Sequence, residues 1–176
     1  MGLSTSARFI GCTAGAVTAA LILSASPASA SGDFSGRAFV HGGGDIYVDD
    51  WTDEGYLSTS RHASSNATCL WQKVLWSYDL LAWDDIDGVF GDDTRAATVR
   101  WQKAYAADQP ADGIVGKHTF GRAGYGLVDE TGDNRPDRYV GSTNSFLVSR
   151  DGDNDYAFYD RKGNQRVAGY NYLTCS

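Results

Sequence analysis

At 176 residues, 42% hydrophobic and 21% charged, the chain has room for one ordinary domain, or for a small domain with accessory pieces. Its 22 acidic and 15 basic residues give a formal net charge of −7, which argues against nucleic acid or an anionic bilayer as a partner, since both need clustered positive charge.

Residues 1–30 read as a secretory signal peptide. Arg8 is the sole charge before Asp33, an apolar run extends from Phe9 to Leu23, and Ala28-Ser29-Ala30 is a small-x-small cleavage site. The run is short for a spanning helix, which needs about 20 residues, and Cys12 lies near its start where a lipidated cysteine would end it. Cleavage after Ala30 removes Arg8, takes the net charge to −8 and leaves two cysteines, Cys69 and Cys175. In an exported chain an even count points to a disulfide between them, with a long closed loop worth about 4 to 5 kcal/mol on the chain-entropy model.

From residue 31 to 65 the chain is rich in Gly, Ser and Asp. Arg37–Val40 and Asp45–Val48 flank His41-Gly42-Gly43-Gly44, a pattern that predicts a β-hairpin, and Thr52–Ser65 reads as a polar linker or an irregular segment. Leu70, Trp71, Val74, Leu75 and Tyr78 then recur at helical spacing, predicting a helix from about Ala67 to Ser77 or Tyr78. A second helix is predicted from Asp92 to Ala106, and a shorter third from Gly116 to Ala123 or Gly124. After Leu127, Tyr139-Val140, Phe146–Val148, Tyr156–Tyr159 and Val167–Tyr172 read as an antiparallel meander of three or four strands, with the N-terminal hairpin as its expected extra partner.

The middle of the chain says nearly the same thing twice. Trp71-Gln72-Lys73 is followed by Asp87-Gly88-Val89-Phe90-Gly91-Asp92-Asp93-Thr94, and Trp101-Gln102-Lys103 by Asp112-Gly113-Ile114-Val115-Gly116-Lys117-His118-Thr119. With Leu70–Leu75 as the first helix, these residues make the segment 66–124 resemble the small peptidoglycan-binding domain family of secreted bacterial wall proteins. The sequence departs from that pattern at Asp92 and Lys117, where the family usually has Pro, and at Trp71 and Trp101, where it usually has Leu and Phe. The resemblance implies an α+β fold: a three-helix peptidoglycan-binding-like bundle with flanking short antiparallel β strands. The domains would be 1–30 signal peptide, 31–65 hairpin and linker, 66–124 bundle, and 125–176 meander.

It also implies a secreted, cell-wall-associated, non-catalytic protein that binds peptidoglycan through its glycan strand or peptide stem, with no nucleic acid, no membrane after signal cleavage, and no cofactor. Most of the motif reads as turns, helix starts and core. Aromatic rings suit sugar faces and cations suit stem carboxylates, so the expected ligand-binding residues are Trp76, Tyr78, Trp83, Arg95, Tyr105 and Arg122. Trp83 and Tyr105 are expected near one groove, with Arg95 at its rim. Two alternatives stand beside this: a small wall hydrolase with its catalytic groups in the meander, or a wall-anchored module that binds another secreted protein. None of His41, His62 and His118 has zinc-ligand spacing. The clusters Asp129/Asp133/Asp137 and Asp151/Asp153/Asp155 read as solvated turns, because Tyr156 stands where a calcium loop needs its Gly.

Overall fold

The computed structural model describes residues 1–2, 36–43 and 45–175. All but the first two residues of the expected signal peptide lie outside them. Helix α1 spans Asn66–Ser77, α2 Asp92–Tyr105 and α3 Lys117–Gly124; five strands follow, β1 Leu127–Val128, β2 Arg138–Val140, β3 Ser145–Arg150, β4 Tyr156–Tyr159 and β5 Gln165–Val167. The strands form one antiparallel meander in the order β1-β2-β3-β4-β5, with Tyr139 opposite Phe146 and Val148 opposite Phe158.

Local chemistry sets the helix boundaries. Ser65 caps α1 by accepting the Thr68 N–H on its hydroxyl. The helix ends in a Schellman turn: the Asp79 N–H donates to Trp76 O and the Leu80 N–H to Leu75 O, with Asp79 in the left-handed region at φ 59°. In α2 the buried side chains Thr94, Ala97, Thr98, Trp101 and Gln102 fall at i, i+3, i+4, i+7 and i+8, one face of a helix.

The expected three-helix bundle does not form as a separate unit. Eleven of the twelve residues of α1 are buried, all but Trp76, so this helix has no solvent face. One side packs on α2, where the Trp71 and Trp101 rings meet at 5.4 Å. The C-terminal half of the chain covers the rest and satisfies both helix ends. At the N-terminus, where the first N–H groups lack intrahelical partners, the Asn66 and Ala67 N–H donate to Tyr172 O and Gly169 O. At the C-terminus, Ser77 O accepts the Thr143 and Asn144 N–H of the β2–β3 turn.

Helix α3 buries Phe120 between Trp71 of α1, 5.6 Å away, and Trp51, 5.8 Å away. Trp51 also stacks on Tyr139 of β2 at 5.6 Å and meets Tyr156 of β4 edge-on at 5.3 Å. A single aromatic core therefore runs from the helices into the sheet.

The expected N-terminal hairpin is also corrected. Its first arm pairs with the far end of the chain: the Val40 N–H donates to Ala168 O and Val40 O accepts the Tyr156 N–H. Its second arm is the 3-10 turn Tyr47–Asp49. The first arm finds its backbone partners in β4 and the segment after β5, while the second is held by the Tyr47 N–H donating to Asn134 Oδ1 at 3.1 Å. The expected linker is irregular but integrated, with Leu57 and Val115 exchanging two backbone hydrogen bonds of 2.9 Å. The Cys69–Cys175 disulfide is present, tying α1 to the C-terminal tail.

Candidate functional site

The repeat makes two copies of one device, a buried glutamine that staples an Asp-Gly turn to the helix before it. In the first copy Gln72 Oε1 accepts the Asp87 and Gly88 N–H at 3.1 and 2.7 Å, while Nε2 donates to Asp87 Oδ1, Val89 O and Thr94 Oγ1 at 2.9–3.1 Å. In the second, Gln102 Oε1 accepts the Gly113 N–H at 2.9 Å and Nε2 donates to Asp112 Oδ1, Ile114 O and Thr119 Oγ1 at 3.3, 2.8 and 3.1 Å. Gly88 and Gly113 each sit at φ +77°, which explains a glycine at both places. Each Asp closes its turn by accepting the N–H two residues on, at 2.8 Å.

The six expected ligand residues fall into separate groups. Trp76 and Trp83 meet edge-on at 4.8 Å beside Lys73, whose Nζ lies 4.7 Å from the Trp83 ring centroid. Tyr78 and Tyr105 contact each other at 4.4 Å and flank Trp101. No ring contact joins Trp83 to Tyr105 among the described residues. Arg95 lies over the second stapled turn, donating to Asp112 O at 3.4 Å. Arg122, on α3, stands 5.7 Å from the Tyr125 ring centroid. Trp83, Tyr105 and Tyr125 are exposed, Tyr125 most of all at 66%.

Three clefts adjoin these elements. The first, about 310 Å³, lies beside α3 and is lined by Thr52, Lys117, His118, Gly121, Arg122 and Tyr125, with Asp108 at its edge. A second of about 210 Å³ shares Lys117 and His118 and continues past Tyr56, Pro110 and Ile114. The third, also about 310 Å³, is polar and includes Arg37, His41, Asp49, Asp50 and Asp53.

Behind the third cleft lies a buried polar layer. Asp50 accepts the Gly43 N–H at 3.0 Å and the Tyr156 hydroxyl at 2.5 Å. Glu54, with no exposed surface, accepts the His41 N–H at 2.9 Å and the Tyr170 hydroxyl at 2.5 Å. Burial pushes its carboxyl up to about 8, against the pull of the Tyr170 and His41 hydrogen bonds. His41 Nδ1 stands 3.1 Å from Asp155 Oδ1. On the sheet side, burial lowers the Lys73 ammonium to about 8, opposed by the negative charge of Asp160. Its Nζ donates to Tyr159 O at 2.8 Å.

The acidic loops hold themselves together. Asp129 accepts four backbone N–H groups, of Thr131, Gly132, Asp133 and Asn134, and Asp151 accepts those of Asp153 and Asp155. No group of three or more His, Cys, Asp or Glu among the described residues is placed to hold a metal ion.

We found no protein family, no characterised protein and no solved structure that matches the chain. Reasoning from sequence passed over Lys117 and Tyr125. A signal for Lys117 was present in the repeat itself: after the second Gly, copy one carries Asp92-Asp93 and copy two Lys117-His118.

Proposed function

We propose that this is an exported protein that binds the peptidoglycan of a cell wall without cutting it. The observation that carries the reading is the pair of glutamine staples, because the residues of the resemblance are those that fix the starts of α2 and α3. The chain also carries the exposed rings of Trp83, Tyr105 and Tyr125 and the exposed cations Lys117 and Arg122, with Arg95 over the second stapled turn, suited to sugar faces and stem carboxylates. A disulfide fits an oxidising compartment.

Sedimentation with purified wall sacculi tests the proposal. The mature chain should pellet with sacculi, and the double variant Trp83→Ala, Tyr105→Ala should pellet less while remaining folded by circular dichroism. A chain that stays in the supernatant at low salt ends the reading.

A hydrolase reading has one observation on its side, His41 oriented by Asp155 at the polar cleft. The buried carboxylates there are already engaged: Asp50 by Gly43 and Tyr156, Glu54 by His41 and Tyr170. Dye release from labelled sacculi that is abolished by His41→Ala would overturn the non-catalytic reading in its favour.

A further inference from the structure

The two copies of the repeat are an internal control for ligand charge. Beside the first stapled turn is a small cleft of about 130 Å³ whose lining includes Asp85, Asp87, Asp92 and Asp93. Beside the second, the same backbone device opens onto the Lys117–His118 wall shared by the clefts of about 310 and 210 Å³. One scaffold thus presents carboxylates at one place and cations at the other.

We propose that the α3 cleft is a binding site for the free C-terminal carboxylate of a short peptide. Arg122 and Lys117 supply the charge, and the planar guanidinium fork matches a carboxylate with two parallel hydrogen bonds. The Tyr125 ring beside Arg122 favours the guanidinium at this position by cation–π attraction. Asp108 is the one acid among the described lining residues, and it is engaged with His118 Nε2 at 3.2 Å.

Size and net charge narrow the ligand further. The chain as a whole is at −7, so a polyanion meets net repulsion from the protein, whereas a ligand with one terminal charge is governed by the cations around it. Gly121 and the Tyr125 face offer an apolar floor for small side chains. The adjoining cleft past Pro110 and Ile114 continues the path for the peptide backbone. This assignment rests on the wall-binding reading, since it names the peptide stem as the part of the wall that is held.

The test titrates the mature, disulfide-bonded chain with N-acetyl-D-alanyl-D-alanine, followed by amide chemical shifts, against the same peptide ending in an amide. The free acid should bind about tenfold more tightly, the equivalent of one charge-assisted contact, and should shift residues 117–125. In the variant Lys117→Gln, Arg122→Gln, whose substituted side chains are exposed, the acid should bind no better than the amide at unchanged melting temperature. Equal affinity for acid and amide overturns the proposal, as do shifts confined to other surfaces. Inorganic phosphate binding as tightly as the peptide also overturns it, by showing an unselective anion site. Sacculi that retain the double variant as well as the parent protein, together with equal peptide affinities, reject this site and leave wall binding standing; no retention of the parent protein rejects wall binding itself.

Discussion

Replacing Gln72 with Glu tests the staple with almost no change of shape. The wild-type Nε2 donates to three acceptors, Asp87 Oδ1, Val89 O and Thr94 Oγ1. A carboxylate there would set oxygen against oxygen at the first two, and only the Thr94 hydroxyl could turn to donate. Two partly buried contacts become repulsive, so the variant should lose roughly 2–4 kcal/mol, taking about 1–2 kcal/mol for each group left without its partner. That is a large share of the roughly 5–15 kcal/mol by which domains of this kind are stable. Gln102→Glu should lose a similar amount, because its Nε2 also faces two oxygens that cannot donate, Asp112 Oδ1 at 3.3 Å and Ile114 O at 2.8 Å. Urea unfolding at pH 7 with the disulfide intact gives both numbers. Repeating it near pH 5 adds a control, since the introduced carboxyl, once protonated, can donate again and part of the deficit should return. A Gln72→Glu variant within about 1 kcal/mol of the parent at pH 7 would refute the staple as the organiser of the turn.

Glu54 and Lys73 should shape the pH dependence of stability from opposite sides. The Glu54 carboxyl is raised to about 8, so its contribution is fully present below about 4.5 and lost as pH rises through 8, a slope of at most about 1.36 kcal/mol per pH unit. The Lys73 ammonium is lowered to about 8, so stability should recover between about 8 and 10.5, giving a minimum near pH 8. Glu54→Gln should flatten the first limb and Lys73→Met the second, both read from chemical denaturation across pH; an unchanged profile in Glu54→Gln would sink the assignment. Gly141→Ala should destabilise by about 3 kcal/mol, because the added methyl would collide with Ser77 O, while Gly152→Ala, in open space, should be near neutral; equal melting temperatures for the two variants would contradict this. Asp79→Gly should stabilise by ~0.5–1 kcal/mol by relieving a left-handed residue at φ 59°, and a lower melting temperature would count against it.

What the sequence made legible was local. Helix α2 could be read because its buried positions keep strict helical spacing, and the turns because Gly88 and Gly113 need a positive φ. Helix α1 was placed correctly, yet its burial was not readable. Its apolar spacing marks one face, whereas Asn66, Thr68, Gln72 and Lys73 are buried as well, under the sheet, the C-terminal tail and the first stapled turn. Trp51, Glu54 and Leu57 lie in a stretch without useful period and are wholly buried by partners far along the chain. The glycine-rich hairpin signal failed in that the two arms do not pair with each other, although the first arm does join the meander as expected, through Tyr156 and Ala168. For the site, residue type was legible and juxtaposition was not. Nothing in the spacing says that Tyr105 packs on Tyr78 and Trp83 on Trp76.

The staples also bear on where ligand chemistry can lie. Within each copy of the repeat, the Gln amide, the Asp carboxylate and the Thr hydroxyl bond to one another and to the backbone of their own turn. Side chains satisfied in this way have little left to offer a ligand, and removing them would unfold the turn before it weakened binding. Variation that alters recognition without harming the fold therefore belongs at positions the staple leaves alone, the two residues after the second Gly and the exposed residues that follow on the same helix. Those are the positions at which the copies differ most in charge, Asp92-Asp93 against Lys117-His118. With Arg122 one turn further on and Tyr125 just past the end of the helix, the second copy has the means to hold an anion, and the acids of the first copy would repel one.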